Sequence, residues 1–465
     1  HPQVTPRRGH TCNMKLNRRN FVLASGATAL LACRDRQPQD SALPTGSPVR
    51  EAEPAPWDQP PGEPDASLFS WSLQVGDVGP ESAICSCRCT LESGNLTLVR
   101  ADGNQWVEDQ YIEDVLANNG VLQHSLKDLS PDTAYRLVWT NTERTLRSPV
   151  GRFRTALAAD QDRVLVFGVS SCLGSTGAPW PTLSHAADAE LDFFVLGGDT
   201  VYADGSLNRA DYQAVWDKAM ARQGLVDLSA STSLVVAWDD HEVDNDWFEE
   251  DLVEGQYQAA LDVYRERMPQ KAGPDGGLYR SLQWGRTLEI FILDCRGERG
   301  PGWSQMMSPE QVQWLISGVQ NSSARFKVVV TSIQVTDWST MLKDALDTSR
   351  WSGHPEQRQA LLEGVAEVEG LIWVTGDMHF GALTYVDPEG GTAAHQVEVM
   401  AGPAGSRVNP IPGFFTGDAS QYPHVLSEAD LWTWCRFVCD AELGTIAVEF
   451  RDNANAIVAS EILAL

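Results

Sequence analysis

The sequence predicts an α/β protein in which two packed sheets are covered by helices, with a smaller β-sandwich ahead of them. Three observations carry that reading. From about residue 160 onward, apolar strand-like runs mix with stretches of helical periodicity. Four of those runs end on Cys, Asp or His, which are not the usual residues of turns. Ahead of them, residues 67–156 hold short alternating runs separated by turn signals.

The elements follow in chain order. Met14-Lys15-Leu16-Asn17-Arg18-Arg19-Asn20-Phe21 is a positive segment with adjacent arginines. Small, weakly apolar residues follow, and Leu30-Leu31-Ala32-Cys33 closes the segment. Residues 14–33 thus resemble a twin-arginine export signal with a lipoprotein cleavage box. That resemblance implies lipidation at Cys33 and a periplasmic or extracytoplasmic protein anchored to a membrane. Met14 is the expected start, since the signal is complete without residues 1–13. Residues 34–66 are rich in Pro, Glu, Asp and Gln and nearly devoid of apolar side chains, so a disordered linker is expected.

Within 67–156, strands are expected over 72–75, 82–90, 96–100, 121–125, 135–140 and 151–155. Cys85, Cys87 and Cys89 alternate, so on a strand they share one face and make poor partners for one another. Beyond residue 160, helices are expected over 209–222, 256–268, 309–319 and 355–368, with Pro309 and Pro355 near two of the starts. Strands are expected over 288–293, 326–331, 382–386 and 396–400, besides the four runs described next. Cys435 and Cys439 fit one helical turn apart. Of the nine cysteines, Cys12 precedes the expected start and Cys33 is the lipid site, which leaves an odd number; Cys172 is the expected free thiol.

The chemistry lies at four strand ends. Phe193-Phe194-Val195-Leu196 breaks at Gly197-Gly198 and delivers Asp199, Tyr202 and Asp204. A second run ends in Ser170-Ser171-Cys172, a third in Asp239-Asp240-His241-Glu242 and a fourth in Asp377-Met378-His379. Loops at strand ends are where α/β folds tend to place ligands. Carboxylates and a phenol suit hard cations, whereas a thiolate favours a transition metal over calcium. The set fits two cations about 3.5–4 Å apart, which would polarise a phosphoryl group and generate hydroxide at neutral pH. Asp199 is the expected bridging ligand. Asp240 and the Asp377/His379 pair complete the set, and His241 has the titration range of a general acid. Asp204 fits either a supporting hydrogen bond or a calcium contact. The formal net charge of −28 argues against nucleic-acid binding other than as a substrate.

Taken in order, Gly198-Asp199-Thr200-Val201-Tyr202-Ala203-Asp204, Trp238-Asp239-Asp240-His241-Glu242, Leu293-Asp294-Cys295-Arg296 and Gly376-Asp377-Met378-His379-Phe380 resemble the PhoD-like alkaline phosphatase/phosphodiesterase family. Ser170-Ser171-Cys172 is similar to that family's first motif. The resemblance implies an αββα metallophosphoesterase core over 160–465, similar in fold to purple acid phosphatases, and iron(III) with calcium(II). It implies Cys172, Asp199 and Tyr202 near the iron, and Asp240, Asp377 and His379 on the metals. Asn245 is a further candidate ligand, although Asp246 stands where the family often has a second Asn. Leu129-Ser130-Pro131-Asp132-Thr133-Ala134-Tyr135 with Gly151-Arg152-Phe153-Arg154-Thr155 resembles fibronectin-like domains. Arg296 and Arg299 fit either a substrate phosphate or an ion pair with Asp294 or Glu298. Trp180 and Trp247 fall beside the motif loops as candidate pocket walls.

The reading is therefore an exported monomer that hydrolyses phosphate esters, small or polymeric, and meets the membrane through its lipid. Two others compete with it: a phospholipase D-like diesterase acting on membrane lipids, and a non-catalytic ligand-binding lipoprotein of the same fold.

Overall fold

Residues 53–71, 73–300, 304–337, 349–409, 425–429 and 431–465 are described by the structure, a computed structural model. The expected signal 14–33 with its Cys33, and the linker up to residue 52, lie outside the described residues.

Three of the four motif strands lie side by side. Leu165–Ser170, Phe193–Gly197 and Ser233–Ala237 pair in parallel, with Ser170 opposite Leu196 and Gly197 opposite Ala237. The chain leaves all three at one edge of a single sheet. The fourth, Leu371–Thr375, belongs to a second sheet, parallel to Phe326–Val330, which is itself parallel to Leu288–Ile292. The two sheets meet at the motif edge: Ser332 Oγ donates to Asp239 at 2.9 Å, and Ser171 Oγ donates to the Ala401 carbonyl at 2.6 Å.

Strand alternation explains the layers. Leu165, Phe167 and Val169 face inward with Phe193 and Val195, against Trp284, Ile290, Val328 and Ile372 of the second sheet. A stack of rings crosses this core, from Phe437 to Phe167, Phe193 and Trp284, at centroid spacings of 4.6, 4.8 and 4.1 Å. Each such pair contributes about 0.5–1.5 kcal/mol beyond its buried area. Phe291, Val329 and Trp373 point the other way and pack under the helices Pro309–Asn321 and Pro355–Gly364. The first of these opens as its sequence suggests, with Pro309 in its first turn and Ser308 Oγ accepting from Gln311 N at 3.1 Å. The expected helix over 209–222 forms as Arg209–Met220, and a further helix, Gln223–Ser231, which the sequence reading did not include, follows it.

The N-terminal strands are not a separate hydrogen-bonded unit. Gln74–Gly76 pairs with Ser233–Ala237 at Gly76 and Leu234, and Ala83–Arg88 and Val121–Leu126 follow, so that among the described residues the first sheet has nine strands. A third sheet holds Ser93–Asp102, Gln105–Leu116 and Ala134–Thr140. Phe69, Leu73, Cys87, Leu98, Leu137 and Trp139 fill the space between it and the N-terminal end of the first sheet. Gly76 is required there: a Cβ would lie 1.9 Å from the Pro269 carbonyl oxygen. Asp77 next to it is fully buried and grips Arg280, with bonds of 2.6 and 2.9 Å from the guanidinium to its two carboxylate oxygens.

Three differences from the sequence reading stand out. The linker ends before residue 66: Glu63–Pro64 pairs with Leu146–Arg147, and Arg136 holds Glu53 at 2.7 Å. Cys435 and Cys439 sit on the strand Thr433–Asp440, not a helix, both facing the core. Gln105–Leu116 and the three strands after residue 431 had no counterpart among the expected elements. The seven cysteines among the described residues are all free and buried, so Cys172 is one free thiol among several. Among the described residues no helix is long and apolar enough to cross a membrane.

Candidate functional site

Four site residues stand at strand ends in a conformation most L-residues avoid. Cys172, Asp199, Asp377 and His379 have φ of 56°, 54°, 63° and 57°. Left-handed non-glycine residues cost about 1–3 kcal/mol each and persist only where the surroundings fix them. Here the fixing is visible. Cys172 N donates to the Gly198 carbonyl at 3.0 Å and Leu173 N to the Asp199 carbonyl at 2.8 Å, tying the first loop to the second. Glu242 accepts from the backbone N–H groups of Asp199, Thr200 and Asp239 at 3.2, 2.6 and 2.8 Å, tying the second to the third. Gly198 has a φ of 107°, and a Cβ there would come within 2.9 Å of the Asp239 Cβ.

The result is an acid-lined cavity of about 340 Å³ walled by Asp199, Asp240, His241, Asn245, Asp377 and His379. Donor atoms of Cys172, Asp199 and His379 all lie within 4.8 Å of one another, as do those of Asp199, Asp240 and His241. Asp199 is common to both groups, the place a bridging ligand would take. Tyr202 joins them: its hydroxyl lies 3.3 Å from Asp199 Oδ2 and 3.0 Å from His379 Nε2, and Ser406 Oγ donates to it at 2.5 Å. Asn245 is exposed at the rim, where its amide donates to Asp246 at 3.0 Å.

The electrostatics fit a cation. Asp199 is pushed well above the usual carboxylate range by burial and then by Asp239, Asp240, Glu242 and Asp377. Burial lifts Asp240 to about 6, against the pull of Arg296, and lifts Glu242 to about 7. Burial and then Asp199 hold both the Cys172 thiol and the Tyr202 phenol well above their ordinary values. Each becomes an anionic donor only beside a strong positive charge. Oδ1 of Asp199 and Oδ2 of Asp239 are buried with no hydrogen-bond partner among the described residues. Crowded carboxylates, a thiol, a phenol and imidazoles gathered around Asp199 are a donor set suited to metal cations.

Asp204 finds its role in the geometry. His241 Nδ1 donates to Asp204 Oδ1 at 2.7 Å, and the imidazole lies over the Tyr202 ring at a centroid spacing of 4.1 Å. Burial alone would lower the His241 pKa. The hydrogen bond to Asp204 and the charges of Asp240, Asp204 and Asp239 outweigh it and raise the group to about 9. Asp204, distant in sequence, comes first among the groups that raise it, ahead of Asp240 and Asp239 beside His241.

Arg296 and Arg299 do not line this cavity. Arg296 is fully buried, pairs with Asp239 and lies 3.4 Å from Asp240 Oδ1, so it neutralises site acids from beneath. Asp294 instead accepts from Trp238 Nε1 and from two backbone N–H groups of its own loop, and Glu298 accepts from Ser308 and Gln311. Neither arginine therefore makes the expected bridge. Arg299 stacks on Phe248 at 5.3 Å and donates to the carbonyls of Cys295 and Ser349. Sequence reasoning missed Arg350, which lines the cavity and donates to Asp377 Oδ2 at 2.9 Å, and Ser406; neither sits in a local motif. Neither expected tryptophan lines this cavity: Trp180 lines a second one beside it, and Trp247 packs edge-on against Trp238.

A profile of the PhoD-like phosphatase family matches residues 167–419. Alkaline phosphatase D of Bacillus subtilis (strain 168) is 25% identical over 284 residues, which is 50% of this chain and 49% of that protein. The match thus spans about half the length of that curated relative. A solved structure described as PhoD superposes with a TM-score of 0.72 at 18% identity, covering 86% of this chain and 89% of the other. A purple acid phosphatase from seeds of yellow lupin (Lupinus luteus) does so with a TM-score of 0.63 at 12% identity, over 85% and 75%. At those identities the likeness concerns the fold.

Proposed function

The chain belongs to the PhoD-like phosphatase family, and on that premise we propose that it is a metal-dependent phosphoric ester hydrolase, cleaving mono- or diesters in the acid-lined cavity. One observation carries the reading: Asp199 is shared by two ligand-competent groups, and a hydrogen-bonded His241 stands on the same cavity. Cys172, Asp199, Tyr202 and His379 would hold iron(III), the ion suited to a thiolate and a phenolate. Asp240, Asn245 and Asp377, sharing Asp199, would hold calcium(II). When bound, such cations supply Lewis-acid polarisation of the phosphoryl oxygens and acidify water.

The chain's own residues do the rest. Asp204 takes the Nδ1 proton side of His241, which leaves Nε2 to carry the proton given to the departing oxygen. The same contact raises His241 to about 9 in the metal-free protein, which favours the protonated imidazole a general acid needs. Arg296 holds Asp239 and Arg350 holds Asp377, limiting repulsion among the site acids. We also propose export by the twin-arginine route and membrane anchoring of a monomer through Cys33, on the signal read at 14–33; Cys33→Ser should move the protein from the membrane fraction to the soluble one.

The test combines metal analysis of the purified protein with hydrolysis of p-nitrophenyl phosphate and bis-p-nitrophenyl phosphate. Tightly bound iron and calcium with turnover of either ester is expected. A protein without bound metal, or one inert towards both esters when loaded, overturns the reading.

A further inference from the structure

A second cavity, of about 430 Å³, adjoins the first and shares His379 with it. Its character is the opposite. Lys218, Arg222 and Arg407 line it, and among the described residues none of those lining it is acidic. In a chain of net charge −28, three cations converging where no carboxylate intervenes is a local reversal of the prevailing field.

The three come from different places. Lys218 lies in the last turn of Arg209–Met220, Arg222 is the residue before Gln223–Ser231, and Arg407 follows the strand Val397–Met400. A lysine near a helix C-terminus complements the helix dipole, which accounts for a cation at 218 but not for its meeting with the other two. Arg222 is held in place: its guanidinium lies 4.5 Å above the Trp180 ring, and Trp180 is fixed by its indole N–H donating to the Gly174 carbonyl at 2.9 Å. Stacking leaves the edge of a guanidinium open to accept an oxyanion. The floor beside these cations is apolar, formed by Leu173, Trp180 and Val201.

We propose that this cavity is a subsite for a second anionic group of the substrate, a phosphate or carboxylate carried on a short organic spacer. The inference rests on the phosphoryl group occupying the acid-lined cavity. The spacer crosses the shared His379 wall onto the apolar floor, and the distal anion meets Arg222, Lys218 and Arg407. Substrates of this class include bisphosphorylated small molecules and successive units of a phosphodiester polymer.

The test is binding, so it does not depend on turnover. Butylphosphonate and butane-1,4-bisphosphonate, whose carbon–phosphorus bonds resist hydrolysis, are titrated into the metal-loaded protein by calorimetry. The bisphosphonate should bind about tenfold more tightly than the monophosphonate, and that advantage should shrink to about twofold or less in Lys218→Gln and Arg222→Gln. Lys218 is exposed, so its variant should fold as the parent does. Equal affinity for the two ligands, or an advantage that survives both substitutions, overturns the subsite. If the protein hydrolyses neither nitrophenyl ester, the catalytic reading fails, and the affinity ratio still decides the subsite on its own.

Discussion

Replacing Asp77 with Asn removes one charge from a buried pair and leaves its shape. Asp77 is 0% exposed and Arg280 5%, and the guanidinium meets both carboxylate oxygens. Asp77 Oδ2 also accepts from Lys271 N at 2.7 Å. Removing one partner of a buried pair typically costs about 3–5 kcal/mol, because the other charge is stranded. Asn keeps one acceptor and tolerates the left-handed backbone at 77, where φ is 45°, so the lower end, about 3 kcal/mol, is expected. Asp77→Ala should cost about 1–2 kcal/mol more, since alanine is strained there. The assay is equilibrium urea unfolding followed by far-UV circular dichroism and tryptophan fluorescence together. Adding Arg280→Met to Asp77→Asn should recover at least about 1 kcal/mol, as the stranded charge is gone. A loss under about 1 kcal/mol for Asp77→Asn, or no recovery in the double variant, would refute the idea that this pair ties the N-terminal strands to the second sheet.

Asp204→Asn should lower kcat about 10- to 100-fold with little change in KM, because His241 loses the group that orients it and raises its pKa; an unaltered kcat would remove Asp204 from the mechanism. In chelator-treated protein the same pair makes a pH prediction. A histidine raised from 6.5 to about 9 contributes stability that is fully present below pH 6.5 and is lost as pH rises through 9. Thermal melts between pH 6 and 10 should show that decline, and Asp204→Asn should flatten it. Arg296→Met should destabilise the fold by about 3–5 kcal/mol by leaving Asp239 and Asp240 without their buried counter-charge; a variant of full stability that merely raised KM would restore Arg296 to substrate contact.

Much of the site was legible because its residues announce themselves locally. A buried parallel strand is a short apolar run, and its end is marked where the run breaks, so Asp199, Asp240 and Asp377 could be read from the chain. What lay hidden depends on contacts between distant segments. Asp204 meets His241, 37 positions on, across two loops, and Arg350 reaches Asp377 from a segment with no motif. Arg296 was ambiguous for a related reason: its partner Asp239 is 57 positions away, whereas the carboxylates near it in sequence are taken by other donors. The strand Gln105–Leu116 escaped notice because its apolar residues come in adjacent pairs, Trp106-Val107, Tyr111-Ile112 and Val115-Leu116, which breaks the alternation that marks a strand. Cys435 and Cys439 misled because a spacing of four suits one helix face and one strand face equally.

The continuity of the first sheet bears on how the fold resists aggregation. If pairing stopped at Ser233–Ala237, that fully buried apolar strand would present a row of open N–H and C=O groups, a template for another chain. Gln74–Gly76 occupies that edge, and the rim moves outward to Val121–Leu126, which carries Gln123 and His124. The N-terminal strands thus act as a guard against edge-to-edge aggregation. A relative that discarded them would need another cover for the same strand, and a shortened form beginning near residue 160 should be recovered chiefly as aggregate.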